Sequence, residues 1–288
     1  MLEALIQPFA EFGFMRRALM GCFAISVGAA PIGVFLILRR MSLTGDAMAH
    51  AILPGAAIGY LISGLSLGAM TIGGLAAGML VAVLAGFVNR MTGQREDASL
   101  AAFYLIALAV GVLIISSRGG NVDLMHVLFG SVLALDDAAM LLLTGIASLS
   151  VLALALLFRP LVLECADPQF LRTVSGLSAL THFSFLSLVV INLVAGFHAL
   201  GTLMAVGIMI LPAAAARFWA TSIGTLLMLS VLFAMQASIA GLLLSYHFSL
   251  PSGPTIILMA GAVYGVSLLF GPAGGVVPQL ADRQRLEI

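Results

Sequence analysis

Apolar stretches of about twenty residues, the length that crosses a bilayer, follow one another from residue 18 to residue 272 with almost no polar interruption. A chain patterned in this way has no water-facing stripe along its helices, so it must satisfy its backbone groups internally in a medium without water. Its composition agrees, with 62% hydrophobic and 8% charged residues against roughly 25% charged in a soluble domain. The expected fold class is an all-α polytopic membrane protein of eight to nine transmembrane helices, some of them broken or re-entrant. The predicted spans fall near 18–38, 44–63, 67–88, 99–117, 138–158, 180–199, 201–217, 222–245 and 254–272. The seventh is short and contains Pro212, which predicts a broken or re-entrant helix.

No repeat or low-complexity linker divides the chain, so residues 18–288 are read as one transmembrane domain with a cytoplasmic loop at 159–179. Residues 1–17 differ: Leu2, Leu5, Ile6, Phe9 and Phe12 recur at helical spacing without a basic leader, which predicts an amphipathic helix lying in the interface. Placing the N-terminus outside puts Arg39, Arg40, Arg90, Arg95, Arg159, Arg172, Arg217, Arg283 and Arg285 on the cytoplasmic side. Only Arg16, Arg17 and Arg118 are then left outside.

Charge and residue usage exclude several function classes. Net charge is zero, so there is no basic footprint for nucleic acid. The chain has no lysine, and a phosphate-binding loop needs one to set an ammonium against the terminal phosphates of ATP, so this chain is not itself an ATPase. Cys22 and Cys165 lie in a span and a loop and predict no disulfide. The 15 methionines are spread as membrane filler. Small residues recur four apart as Ala47, Ala51, Gly55, Gly59 and Ser63, and again as Gly74 and Gly78, a pattern that lets helices approach closely.

Against this background "TGDAMAHAILPG" (44–55) stands out, because Asp46 and His50 share one face of a helix at i and i+4. A structural reading makes Thr44 the cap and Asp46 a complement to the helix dipole, worth roughly 0.3–1 kcal/mol. That accounts for the acid and leaves the histidine unexplained. An ionisable group inside a span costs about 2.5–3.5 kcal/mol and normally marks an ion or proton path. Carboxylate with imidazole is also a donor pair for a divalent transition metal. Metal handling, a proton relay and a structural hydrogen bond all stay open on the residues alone. A metal in transit needs about four donors, which a two-fold homodimer would supply as two Asp46 and two His50. The short distance from Arg40 places the pair toward the inner mouth of a regular helix.

Four stretches together resemble one family. "RRMSLTGDAMAHAILPGAAIGYLISG" is similar to the segment typical of ABC-type zinc/manganese importer permeases. "DLMHVLFGSVLAL" (123–135), "GTLMAVGIMILPAAAARF" (201–218) and "LSYHFSLPSGPTIIL" (244–258) resemble further stretches of that family. Met48 and Ala49 depart from the usual Leu-Ser while leaving both donors. The resemblance implies a homodimeric, multi-pass permease of the bacterial cytoplasmic (inner) membrane, with helices irregular as in cobalamin-importer permeases. It implies no bound cofactor, a transported zinc or manganese ion as cargo, and Asp46 and His50 on the metal path. ATP would be used by a separate cytoplasmic ATPase, and metal delivered by an extracytoplasmic binding protein. Imidazole tilts the expectation toward zinc, with manganese or iron as the alternative. A proton-coupled secondary metal transporter and a permease for a metal chelate are the rival readings.

Within the polar loop "RPLVLECADPQFLRTVSG", Asp167 can cap a short helix, Pro168 suits its first turn and Gly176 its end. Phe170, Leu171 and Val174 would form either an apolar patch for docking the ATPase or a face folded back on the membrane domain. The resemblance places the coupling helix here. Asp123, His126 and His198 are weaker outer-side candidates for receiving the cation. Asp136 and Asp137 read first as loop and capping groups.

Overall fold

The computed structural model describes residues 2–64, 66–92, 96–117, 132–167, 170, 171, 173 and 177–280. A short helix α1 (Leu2–Glu11) leads into α2 (Gly13–Leu38), α3 (Ser42–Ser63), α4 (Leu67–Thr92) and α5 (Glu96–Ser117). A 3-10 turn at Val132–Ala134 precedes α6 (Asp137–Ala166), α7 (Leu177–Leu200), α8 (Thr202–Ala216), α9 (Ile223–Phe248) and α10 (Ser252–Phe270). Each predicted apolar segment falls on one of the helices α2 to α10, and the protein is an all-α, multi-pass membrane protein.

Six of these helices are long and apolar enough to cross a bilayer among the described residues: α2, α6, α9, α10 and the greater parts of α4 and α7. The expected eight to nine is corrected to that number on length and composition. Ala98–Ile114 in α5 and Thr202–Ala216 in α8 are apolar but shorter. α3 is long enough, but Asp46, His50 and three glycines dilute its apolar character. α8 runs unbroken through Pro212 and α3 unbroken through Pro54. The predicted irregularity is therefore absent from both. α6 continues to Ala166 through Pro160, so the first half of the predicted loop 159–179 is helix. Its 30 residues span about 45 Å at 1.5 Å per residue, longer than the roughly 30 Å hydrocarbon layer.

α2 forms the centre of the bundle, with 78% of its apolar window buried against 22% for α6. Its small residues explain why. A Cβ at Gly33 would collide with the Met209 carbonyl of α8, and one at Gly28 would meet Asn192 of α7 and Ala147 of α6 at 2.9 and 3.0 Å. Asn192 itself is buried and donates to Ser150 Oγ of α6 at 2.6 Å and to Leu188 O at 2.9 Å. The small-residue stripes serve as packing surfaces. Gly55 and Gly59 lie against the backbone of Gly73 and Ala69, while Gly74 and Gly78 receive Ile52 and Val190. Gly111 brings α5 against Pro54 of α3.

α2 and α6 run parallel and are tied at both ends. Arg17 pairs with Asp137 at 2.9 Å, and Arg39 pairs with Glu164 at 3.2 Å. At the first end Phe12 also packs on Tyr246 with ring centroids 5.6 Å apart. The other end holds the link from Ala273 N to Phe218 O at 2.8 Å. Asp136 caps α6 by accepting from Ala139 N at 2.8 Å, which gives both acids of that loop structural roles. Cys22 and Cys165 are free thiols.

Candidate metal site

Asp46 and His50 lie in the first three turns of α3, and His50 Nε2 stands 3.8 Å from Asp46 Oδ1. That gap is too long for a hydrogen bond. Two donors each about 2.0–2.2 Å from one metal ion stand roughly 3.0–3.4 Å apart, so closing the gap takes a few tenths of an ångström of side-chain movement. The carboxylate is 62% exposed and the imidazole 31%. Both therefore open onto the surface of this chain. Leu43, Ile58 and Ile62 are exposed along the same helix.

The ring of Tyr104 from α5 stacks beside His50, with centroids 6.2 Å apart and planes inclined by 27°. It also lines, with Thr44, Asp46 and Leu100, a recess of about 150 Å³. Tyr104 went unnoticed in the sequence because one tyrosine in a span carries no spacing signal. His50 Nδ1 and Thr44 Oγ1 are buried without a hydrogen-bond partner. Thr44 thus does not act as the cap of α3, which begins at Met41 with no side-chain cap bond. No group of three or more His, Cys, Asp or Glu converges among the described residues, so the pair supplies only part of a coordination shell. A groove of about 480 Å³ between α2, α6 and α9, lined by residues such as Val27, Phe35, Leu154 and Met228, is apolar and offers no donor.

The remaining predicted residues separate. Asp167 caps the segment after α6, accepting from Phe170 N at 2.9 Å. Phe170 is 51% exposed, whereas Leu171 is 4% exposed. The expected apolar patch is corrected there, because Leu171 faces inward and contributes no surface. Val174, Pro168 and Gly176 lie outside the described residues, as do Asp123 and His126. His198 sits near the end of α7, and its side chain is likewise outside them.

One cluster escaped the sequence reading. Arg39 Nη2 donates to Glu164 Oε1 at 3.2 Å and meets His182 Nδ1 at 2.8 Å, and its guanidinium lies 5.1 Å from the Phe185 ring centre. The partners are 125 and 143 residues away in sequence. The available signal was Glu164, an acid in the apolar run "LVLECA".

The model of the ABC 3 transport family matches residues 11–271. The chain is 31% identical over 272 residues to the manganese import system permease protein ScaB of Streptococcus gordonii, covering 94% of this chain and 96% of that protein. It is 28% identical to the chelated iron transport system membrane protein YfeD of Yersinia pestis, covering 94% and 90%. The structure of PsaBC from Streptococcus pneumoniae in complex with Fab superposes with a TM-score of 0.81 at 28% identity, covering 99% of this chain and 100% of that one. The chain belongs to the ABC 3 transport family. It is a permease subunit and not an enzyme.

Two expectations change with these relatives. PsaBC joins two different components, which overturns the expected homodimer in favour of an assembly with an unlike subunit. Two donors on one helix carry no information about who faces them, so the sequence could not decide this. The relatives also name manganese and iron, and the tilt toward zinc finds no support among them.

Proposed function

We propose that this chain is the membrane permease of an ATP-driven importer of a divalent transition metal, with manganese the first cargo and iron the second. The observation that carries the reading is the Asp46–His50 pair, 3.8 Å apart and open to the surface of a helix within the bundle. A carboxylate facing hydrocarbon is costly, so that surface serves a polar path. Water or a facing subunit fills the other positions of the ion. A carboxylate flanked by water suits manganese, and affinity order alone, which ranks zinc above it, does not set selectivity. Manganese is the cargo named for relatives at 31% identity.

ATP hydrolysis belongs to a cytoplasmic ATPase, and an extracytoplasmic binding protein delivers the ion. The chain resides in the bacterial inner membrane, with α1 in the outer interface. Helices α2 to α10 make up to nine crossings, α3, α5 and α8 crossing because neighbouring helices shield them. Parallel α2 and α6 support this topology, since three crossings between them return the chain to the outer side. The segment at 167–171 docks the ATPase through Phe170.

The test is uptake into vesicles holding the complete complex. Manganese is expected to accumulate only with ATP and the ATPase, to fall when a chelator removes the metal outside, and to resist competition by equimolar zinc. Zinc accumulation without manganese accumulation would overturn the cargo. Uptake that persists without the ATPase would overturn the mechanism.

A further inference from the structure

We propose that Arg39 is a positioning residue that couples the segment docking the ATPase to the helix carrying Asp46 and His50. This rests on the reading of the chain as the permease of an ATP-driven importer. Arg39 and Glu164 have side chains 10% and 5% exposed. A pair buried to that degree is weak as a source of stability, because desolvating both charges offsets most of their attraction. Its position points to another role. Glu164 lies three residues before Asp167, the cap of the docking segment, and it is held on the last turn of α6. Arg39 is the C-cap of α2. His182 near the start of α7 and the ring of Phe185 hold the other sides of the guanidinium, so three helices meet on one side chain.

The connection onward to the metal pair is short and stiff. Met41 N donates to Leu36 O at 2.8 Å and Arg40 N to Ile37 O at 3.0 Å. These are the two bonds of a Schellman closure, in which the residue after the C-cap adopts the left-handed conformation. Arg40 does so with φ 58°, a conformation that costs an L-residue about 1–2 kcal/mol and that surrounding structure must enforce. α3 begins at Ser42 immediately after this turn. Movement of the α6 end therefore reaches Asp46 through one ion pair and one tight turn, with no loop between to absorb it. Arg39 Nη1 is buried without a hydrogen-bond partner. The guanidinium thus keeps a free donor for a second arrangement, the property a two-state element requires.

The experiment uses the assembled transporter with its ATPase and binding protein, and measures ATP hydrolysed per manganese ion imported. Glu164→Gln is expected to raise that ratio about fivefold or more, the lower end of energetic coupling between sites, with the amount of assembled complex unchanged. Where Glu164→Gln lowers assembly, the double variant Arg39→Met/Glu164→Leu decides, because it leaves no lone buried charge and retains packing volume. Uncoupled hydrolysis by the assembled double variant supports the proposal. An unchanged ratio in either assembled variant overturns it, since a purely structural clamp alters yield and not stoichiometry. Failure of the wild-type complex to import manganese would instead sink the permease reading on which the proposal rests.

Discussion

Asp46 and Thr44 stand two residues apart on α3 and behave in opposite ways. Thr44 is 2% exposed and its hydroxyl lacks a partner, while Asp46 is largely exposed and bonds to no backbone amide at the helix start. A carboxylate serving only as a cap would exchange for asparagine at little cost, because both accept from helix N–H groups. A carboxylate offsetting a divalent charge would not, since the amide is neutral. Asp46→Asn is therefore expected to cut manganese uptake by the assembled complex at least tenfold. His50→Ala should do the same by removing a donor. Near wild-type uptake by Asp46→Asn, with normal expression, would refute the metal role. Both residues were legible in the sequence from chemistry and i, i+4 spacing alone. Tyr104 was not, because its relation to His50 exists only once α5 lies against α3 at Gly111 and Pro54.

The segment that follows α6 shows at the level of one element what spacing cannot supply. Its cap was readable, since Asp167 ahead of a proline is a local signal, and the bond to Phe170 N has that geometry. Which side chains face outward was not readable, because a short helix beside a bundle buries whichever face the bundle presents. Phe170 is outward and Leu171 inward. Two substitutions are thus expected to diverge. Phe170→Asp should leave the permease inserted and lower ATP-driven uptake about tenfold, a loss of the order of one interface anchor. Leu171→Asp should lower the amount of folded permease, since it buries an unpaired charge. Detergent-extracted yield and ATPase co-purification distinguish the two. Equal co-purification and uptake in Phe170→Asp would remove the docking role.

For the molecule as a whole, the contacts group into two ends. Phe12 with Tyr246 and Arg17 with Asp137 lie at one, and Arg39 with Glu164 and Phe218 with Ala273 at the other. Alternating helix directions between these ends put the turn at Ser249 outside and residues past α10 inside. In a background with Cys22→Ser and Cys165→Ser, Ser249→Cys should react with a membrane-impermeant maleimide in intact cells. Gln279→Cys should react only after the membrane is opened. The reverse pattern would invert the topology. Run length, arginine placement and the Asp46–His50 spacing determined the fold class, the helix positions and the candidate donors, because each is written within one turn or one span. Tertiary structure alone decided that Leu171 turns inward, that Tyr104 meets His50, and that Arg39 is held between Glu164 and His182. Those depend on helices distant in sequence coming within a few ångströms, and a contact across 125 residues leaves no periodicity along the chain.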